Sequence, residues 1–149
     1  MPDHAALTDP FLHEPKGIAA AAEGLVYVSD GAGSGDWKHD EYAVAFQFTD
    51  VSSASSIYVP ILRGGTIKKI IGVLSGAVTT ANTVITIRNA AGLSMGTITI
   101  DHTTSGAGVV YTLTPTSNNI VATDSFFYAE SDGGSSVAQI FRLMALVEP

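Results

Sequence analysis

From residue 41 onward, apolar and polar residues alternate with a period of two, and turn-forming residues interrupt the alternation about every ten positions. Such alternation places the apolar side chains on one face of a β-strand. Gly, Ser, Asn and Asp dominate the connecting segments because they accept positive φ or cap their own backbone. The pattern predicts an all-β fold, a single antiparallel, jelly-roll-like β-sandwich of about eight strands. The predicted strands are 42–49, 57–62, 66–75, 83–88, 96–100, 108–114, 125–131 and 137–147.

The last predicted strand, 137–147, is apolar at most positions of both faces. Arg142 and Met144 share one face, and Phe141 and Leu143 share the other. A strand of this kind is either central in a sandwich or covered by another subunit or an arm, and the pattern leaves both alternatives open.

Residues 1–38 do not show the alternation of a packed domain. The stretch "LTDPFLHEPKG" contains two prolines and a glycine, which block a helix and remove donors from a sheet. "IAAAAEG" is too short for a persistent helix, and "LVYVSD" predicts one short strand. We therefore expect an extended N-terminal arm over 1–38, followed by a β-sandwich domain over 39–149.

Charge is concentrated in the same N-terminal part of the chain. The first 50 residues hold nine of the 14 acidic and two of the seven basic residues, so they carry the whole formal charge of −7. Phosphate contacts require a basic face, so nucleic acid is not expected as a partner. No apolar run approaches the roughly 20 residues that span a bilayer, and the first residues lack the pattern of a signal peptide. An acidic arm instead suits a basic protein surface, and the alternative of a solvated acidic tail without a partner stays open.

The segment "VYVSDGAGSGDWK" has the glycine content of a phosphate-binding loop. Its glycines, Gly31, Gly33 and Gly35, are one residue short of the dinucleotide-binding spacing, and a strand pattern rather than a helix follows them. No helix N-terminus is available there to bind phosphate. We interpret the three glycines as a flexible joint, a hinge between the arm and the sandwich.

No stretch of the chain has the residue spacing of an active or metal site. The absence of cysteine excludes disulfides, a thiol nucleophile and a Cys–zinc site. None of the histidines stands three or four residues from another, as local zinc spacing requires. These histidines are His4, His13, His39 and His102.

Two polar stretches contain residue types that occur in functional sites. "DHTTSGAG" includes Asp101, His102 and Ser105, but adjacent residues on a strand point to opposite faces, so a polar loop is the better interpretation. "SDGGSS" has only one charged oxygen donor, Asp132, and is interpreted as a hairpin turn rather than a calcium loop. We expect no enzyme and assign no catalytic, cofactor-binding or metal-binding residue.

Two longer stretches resemble a known group of proteins. "LHEPKGIAAAAEGLVYVSDGAGSGDWK" resembles the N-terminal leader of small structural proteins of tailed bacteriophages. "GGTIKKIIGVLSGAVTTANTVITI" and "PTSNNIVATDSFFYAESDGGSS" resemble the jelly-roll bodies of capsid decoration (cement) proteins and of head or tail fibres. The resemblance implies a homotrimer on the capsid surface of a virion, synthesised in the host cytoplasm, whose arm reaches onto the major capsid protein.

An extended arm that binds a shell needs apolar anchors, because ordering it costs conformational entropy. The candidate capsid-binding residues are Phe11, Leu12, His13 and Tyr27.

Two other functions stay open at this point. A head- or tail-fibre adaptor would have the same leader and passes attachment to another chain. A carbohydrate-binding module is the alternative from a different class, suggested by the sandwich and by Tyr58, Tyr111 and Tyr128.

Overall fold

The computed structural model describes residues 25–29, 31–32 and 35–149. The chain divides into two compact units, Met1–Asp40 and Glu41–Pro149, which are described separately.

The described part of the first unit is a β-hairpin. Strand β1 (Leu25–Ser29) pairs antiparallel with β2 (Gly35–His39). Tyr27 opposes Trp37 across the two strands, with ring centroids 5.3 Å apart and ring planes at 65°. Cross-strand aromatic pairs of this kind stabilise a hairpin.

The hairpin corrects one detail of the sequence interpretation. The strand in "LVYVSD" was predicted, whereas its partner, β2, was assigned to an extended arm. "GDWKH" contains Trp37 as its single large apolar residue, so it shows no alternation from which a strand could be recognised.

The second unit consists of nine strands, all paired antiparallel. They are β3 (Tyr42–Phe48), β4 (Ser55–Ile61), β5 (Gly65–Leu74), β6 (Thr83–Asn89), β7 (Ser94–Ile100), β8 (Val110–Leu113), β9 (Ile120–Val121), β10 (Ser125–Ser131) and β11 (Phe141–Glu148).

The strand order is that of a jelly roll. One sheet has the order β4-β10-β6-β7, and the other has the order β3-β11-β5-β8, with the two-residue strand β9 also paired to β5. Without β9, the first sheet contains the second, seventh, fourth and fifth strands of the unit, and the second sheet contains the first, eighth, third and sixth. Except for the β6–β7 hairpin, successive strands thus cross between the two sheets in nested Greek keys, which confirms the predicted fold class.

The core lies between the two sheets because the strands alternate buried and exposed residues. In β11, Phe141, Leu143, Ala145 and Val147 are buried, and the residues between them face outward. The rings of Phe46 on β3 and Phe127 on β10 meet edge to face across the core, with centroids 5.4 Å apart. Burial of such side chains from both sheets is the main force that holds a sandwich together.

Each predicted strand of the sandwich corresponds to an observed one, and the differences are local. Strand β9 was missed because two residues show no period. The last strand begins at Phe141 rather than at 137, because Gln139 O accepts from Val51 N and Ile140 O accepts from Ser75 N. Strand β11 is central, between β3 and β5, which accounts for its apolar inner face; coverage of its outer face by another subunit stays a prediction.

Candidate interaction surfaces

The capsid-contact residues predicted from the sequence belong to the first unit. Phe11, Leu12 and His13 lie outside the described residues. Tyr27 lies in β1, partly buried against Trp37. Their contact with a capsid stays a prediction.

The predicted hinge glycines lie at the turn of the hairpin. Gly31 is in the turn with φ +77°, Gly35 opens β2 opposite Ser29, and Gly33 lies outside the described residues. A Cβ at residue 35 would lie 2.3 Å from the carbonyl oxygen of Val28. Glycine at this position therefore also permits close approach of the two strands, and the hinge stays a prediction.

The Asp101, His102 and Ser105 side chains are used to hold loops together. Ser105 Oγ accepts from Val78 N at 3.0 Å and donates to Val78 O at 3.2 Å. His102 Nδ1 lies 2.8 Å from Asn82 Oδ1 and 3.9 Å from Asp101 Oδ1. These contacts fit the polar-loop interpretation, in which the serine hydroxyl is engaged by backbone rather than by the imidazole.

The "SDGGSS" segment is not a hairpin turn, contrary to the sequence interpretation. It leaves β10 in one sheet and leads toward β11 in the other. Asp132 Oδ1 accepts from Val84 N and Gly134 N, both at 3.0 Å, so its carboxylate ties the crossing to β6. A crossing and a hairpin need the same Gly and Asp turn chemistry, so local sequence does not separate them.

Two negative findings apply to the described residues. In residues 25–29, 31–32 and 35–149, no three His, Asp or Glu side chains group as a metal site would require. Over the same ranges there is no helix with the length and apolarity to cross a membrane.

The outer face of the β3-β11-β5-β8 sheet carries a largely aliphatic surface, in which Arg142 lies between Gln47 and Val73. Met144 lies between Ala45 and Ile71 in neighbouring strands, and Val73 lies opposite Val110. Met144 is 52% exposed and Val110 is 61% exposed. We call Ala45, Ile71, Val73, Val110 and Met144 the aliphatic face. Large exposed apolar surfaces rimmed by polar groups mark interaction sites.

The outer face of the β4-β10-β6-β7 sheet carries aromatic rings instead. The ring of Tyr58 stacks on Tyr128, with centroids 5.3 Å apart and planes at 23°, and meets Phe126 edge to face at 5.5 Å. Tyr58 is 63% exposed and stands on β4, an edge strand of this sheet. We call Tyr58, Phe126 and Tyr128 the aromatic cluster.

A charged pair lies directly beside the aromatic cluster. Arg88 on β6 opposes Tyr128 on β10. Its Nε donates to Glu130 Oε2 at 2.5 Å, and its Nη1 donates to Gly92 O at 3.0 Å. This bonding fixes the orientation of the guanidinium and of the carboxylate next to the rings.

Tyr111 does not join the other two tyrosines of the carbohydrate-binding hypothesis. It lies on β8 in the opposite sheet and packs edge to face on Phe141, with centroids 5.8 Å apart. Burial, with a smaller effect of Asp101, raises the pKa of Tyr111. Its hydroxyl oxygen is buried and has no hydrogen-bond partner within the described residues. Tyr111 is therefore a core residue.

Sequence reasoning missed Phe126, Arg88 and Glu130 as surface residues next to Tyr58 and Tyr128. The spacing of Phe126, Tyr128 and Glu130 at every second residue predicts that they share one face. What the spacing does not indicate is which strands are neighbours, and the pairing of β10 with β4 and β6 brings Tyr58 and Arg88 to that face.

No protein-family model matches the chain. The search of curated proteins also finds no match.

Several solved structures are similar to the chain at low sequence identity. A chain of the acid-stable capsid structure of Helicobacter pylori bacteriophage KHP30 superposes with a TM-score of 0.52 at 12% identity, over 75% of this chain and 90% of that one. CsCBM6-3 from Clostridium stercorarium, solved in complex with cellobiose, gives a TM-score of 0.46 at 15% identity, over 87% and 86%. A protein of Bacillus endospore appendages gives 0.32 at 12% identity, over 74% and 88%. At 12% identity, the similarity to the capsid chain shows a shared fold and no more.

Proposed function

We propose that the protein is a structural protein of a tailed-bacteriophage virion, a decoration protein that binds the assembled capsid and stabilises it. The observation that carries the proposal is a jelly roll preceded by a segment, "HEPKG" with "GAGSG", that resembles the leaders of phage structural proteins. The same fold occurs in a chain of the KHP30 capsid structure, which adds support at the level of architecture.

The proposal assigns different tasks to the two units. The first unit, residues 1–40, holds seven acidic and two basic residues, a net charge of −5, and opposite charge on a capsid surface would accelerate its association. The aliphatic face belongs to the second unit and presents apolar surface without a cluster of like charges. We propose that this face packs against the same face of other copies in a homotrimer.

Capsid binding is tested with purified protein and particles from which it has been removed. The intact chain should decorate the particles, and a variant that lacks residues 1–40 should remain folded, because Glu41–Pro149 is a separate compact unit, yet decorate them poorly. Higher salt should slow binding of the intact chain, because the Debye length falls from about 30 Å at 0.01 M to about 3 Å at 1 M. Full decoration by the shortened chain would show that the sandwich is the attachment surface.

A further inference from the structure

The aromatic cluster includes a ring that does not contribute to the core of the sandwich. A ring that contributes to the core is buried, as Phe127 is, whereas Tyr58 is 63% exposed. Its ring is covered on one side by Tyr128 and touched at an edge by Phe126, so the side away from Tyr128 faces solvent at the edge of the sheet. An exposed, oriented aromatic ring is a typical element of a binding surface.

Hydrogen-bonding groups surround the aromatic cluster on the same face. Glu130 lies between Ser56 and Thr86 in the neighbouring strands, and Arg88 is fixed beside it by its two hydrogen bonds. The side chain of Glu130 is 38% exposed and that of Arg88 is 34% exposed, so both are accessible to a ligand. The site thus combines an open ring with hydroxyl, carboxylate and guanidinium groups within two strand spacings.

The two outer faces of the sandwich differ in chemistry. The aliphatic face consists mainly of Ala, Ile, Val and Met side chains, with Arg142 and Gln47 beside them, and its apolar majority suits the centre of a protein interface. The face with the aromatic cluster places rings among polar groups that remain in contact with water. A protein partner would bury those polar groups at a cost, whereas a sugar satisfies them with its own hydroxyls.

We propose that the outer face of the β4-β10-β6-β7 sheet binds a neutral glycan. The apolar C–H face of a pyranose would stack on Tyr58, and its equatorial hydroxyls would hydrogen-bond with Glu130 and Arg88. A neutral ligand is favoured because Arg88 already pairs with Glu130 and Asp132 lies on the same side of the sheet, so a polyanion would meet uncompensated carboxylate. Glycan binding by this face is additional to the proposed capsid binding and does not depend on it.

The experiment uses the full chain and a panel of neutral hexaoses of glucose, mannose and galactose, with polygalacturonate as an acidic probe. Titrations followed by amide chemical shifts should show binding of about millimolar affinity or tighter to at least one neutral chain, with the shifts on β4, β10 and β6. Tyr58→Ala should weaken that binding roughly tenfold, about 1.4 kcal/mol, because the stacking ring is lost, whereas Tyr58→Phe should retain it. Ile120→Ala is the matched control, since Ile120 is 75% exposed and lies on β9 of the other sheet.

Several results would overturn the proposal. These are no binding of any neutral chain at millimolar concentration, equal binding by Tyr58→Ala, or shifts confined to β3 and β11. A change of oligomeric state in Tyr58→Ala without a change in glycan binding would assign the face to a protein contact instead. Capsid decoration is measured separately, so failure of glycan binding leaves the proposed virion function intact, and the reverse also holds.

Discussion

Gly72 on β5 leaves the space that the ring of Phe141 on β11 occupies. A Cβ at residue 72 would lie 2.1 Å from Phe141 Cζ. The ring crosses over Gly72 to reach Tyr111 on β8, on the far side of β5. One glycine therefore permits an aromatic contact that spans three strands of the sheet.

We expect Gly72→Ala to lower the free energy of unfolding of the sandwich by about 1–3 kcal/mol, because the added methyl group overpacks a closed core. Chemical denaturation measures the change. The double variant Gly72→Ala/Phe141→Leu should lose less unfolding free energy than the two single variants together, because the second substitution removes the ring that clashes with the methyl group. Gly106→Ala is the matched control, because the nearest atom to a Cβ there, Val109 Cγ2, is 3.7 Å away. Equal stabilities of the Gly72 and Gly106 variants would contradict the packing described.

Ser135 links two crossing segments from a buried position, 4% exposed. Its hydroxyl accepts from Thr79 N and Val137 N, both at 3.2 Å. Ser135→Ala leaves these amides without that acceptor and should cost about 1–3 kcal/mol in unfolding free energy. Ser136→Ala, one residue further along and exposed, should change stability by less than about 0.5 kcal/mol. A reversed order of the two variants in thermal unfolding would show that the crossing is held by other contacts.

Asp101 makes stability depend on pH at the acidic end. Hydrogen bonds from the Thr103 hydroxyl and Thr103 N lower the pKa of Asp101 below the usual value of about 3.9. A lowered pKa in the folded state stabilises the protein above the unfolded-state pKa, and this contribution is lost as pH falls through the folded-state pKa. The melting temperature of the parent chain should therefore exceed that of Asp101→Asn at pH 7, and the difference should shrink as pH falls through the folded-state pKa of Asp101. A difference that is constant from pH 7 to pH 2.5 would contradict this role of the carboxylate.

Gly35 tests whether the hairpin requires glycine for close approach. Gly35→Ala places a methyl group against Val28 O and within 2.9 Å of Tyr27 Cζ. We expect the hairpin to be disrupted and the emission of Trp37, the single tryptophan, to shift to longer wavelength as its contact with Tyr27 is lost. The melting temperature of the sandwich should stay unchanged, because Glu41–Pro149 is a separate unit. Unchanged Trp37 emission would favour the hinge role alone.

The aliphatic face predicts the oligomeric state. Met144→Glu places a charge at the centre of this face and should convert the proposed trimer to monomers without unfolding them, because Met144 is already 52% exposed. Thr99→Glu adds the same charge to the exposed outer face of the opposite sheet and serves as the control. Sedimentation measures both variants. A parent chain that is monomeric at micromolar concentration would remove the trimer from the account.

The sequence predicts more of the fold than of the binding surfaces. Alternation in stretches such as "SFFYAES" determined strand positions to within a few residues, because the side-chain period of a strand is local. The neighbours of each strand are not local information. Tyr58 and Tyr128 are stacked only because β4 pairs with β10, and Tyr111, of the same residue type, is directed into the core. Strand β2 was missed because its pairing depends on the contact between Tyr27 and Trp37, and its own sequence has no alternation of apolar and polar residues.

The central claim is that the chain is part of a virion and sits on its capsid. Cryo-electron microscopy of phage particles produced by cells that carry its gene tests this most directly. The account predicts density of jelly-roll shape on the outer surface of the capsid, which accommodates the β3–β11 sandwich in a threefold arrangement. Density at the tail or at a fibre would replace the decoration role with that of an adaptor, and particles that lack the chain altogether would contradict the claim.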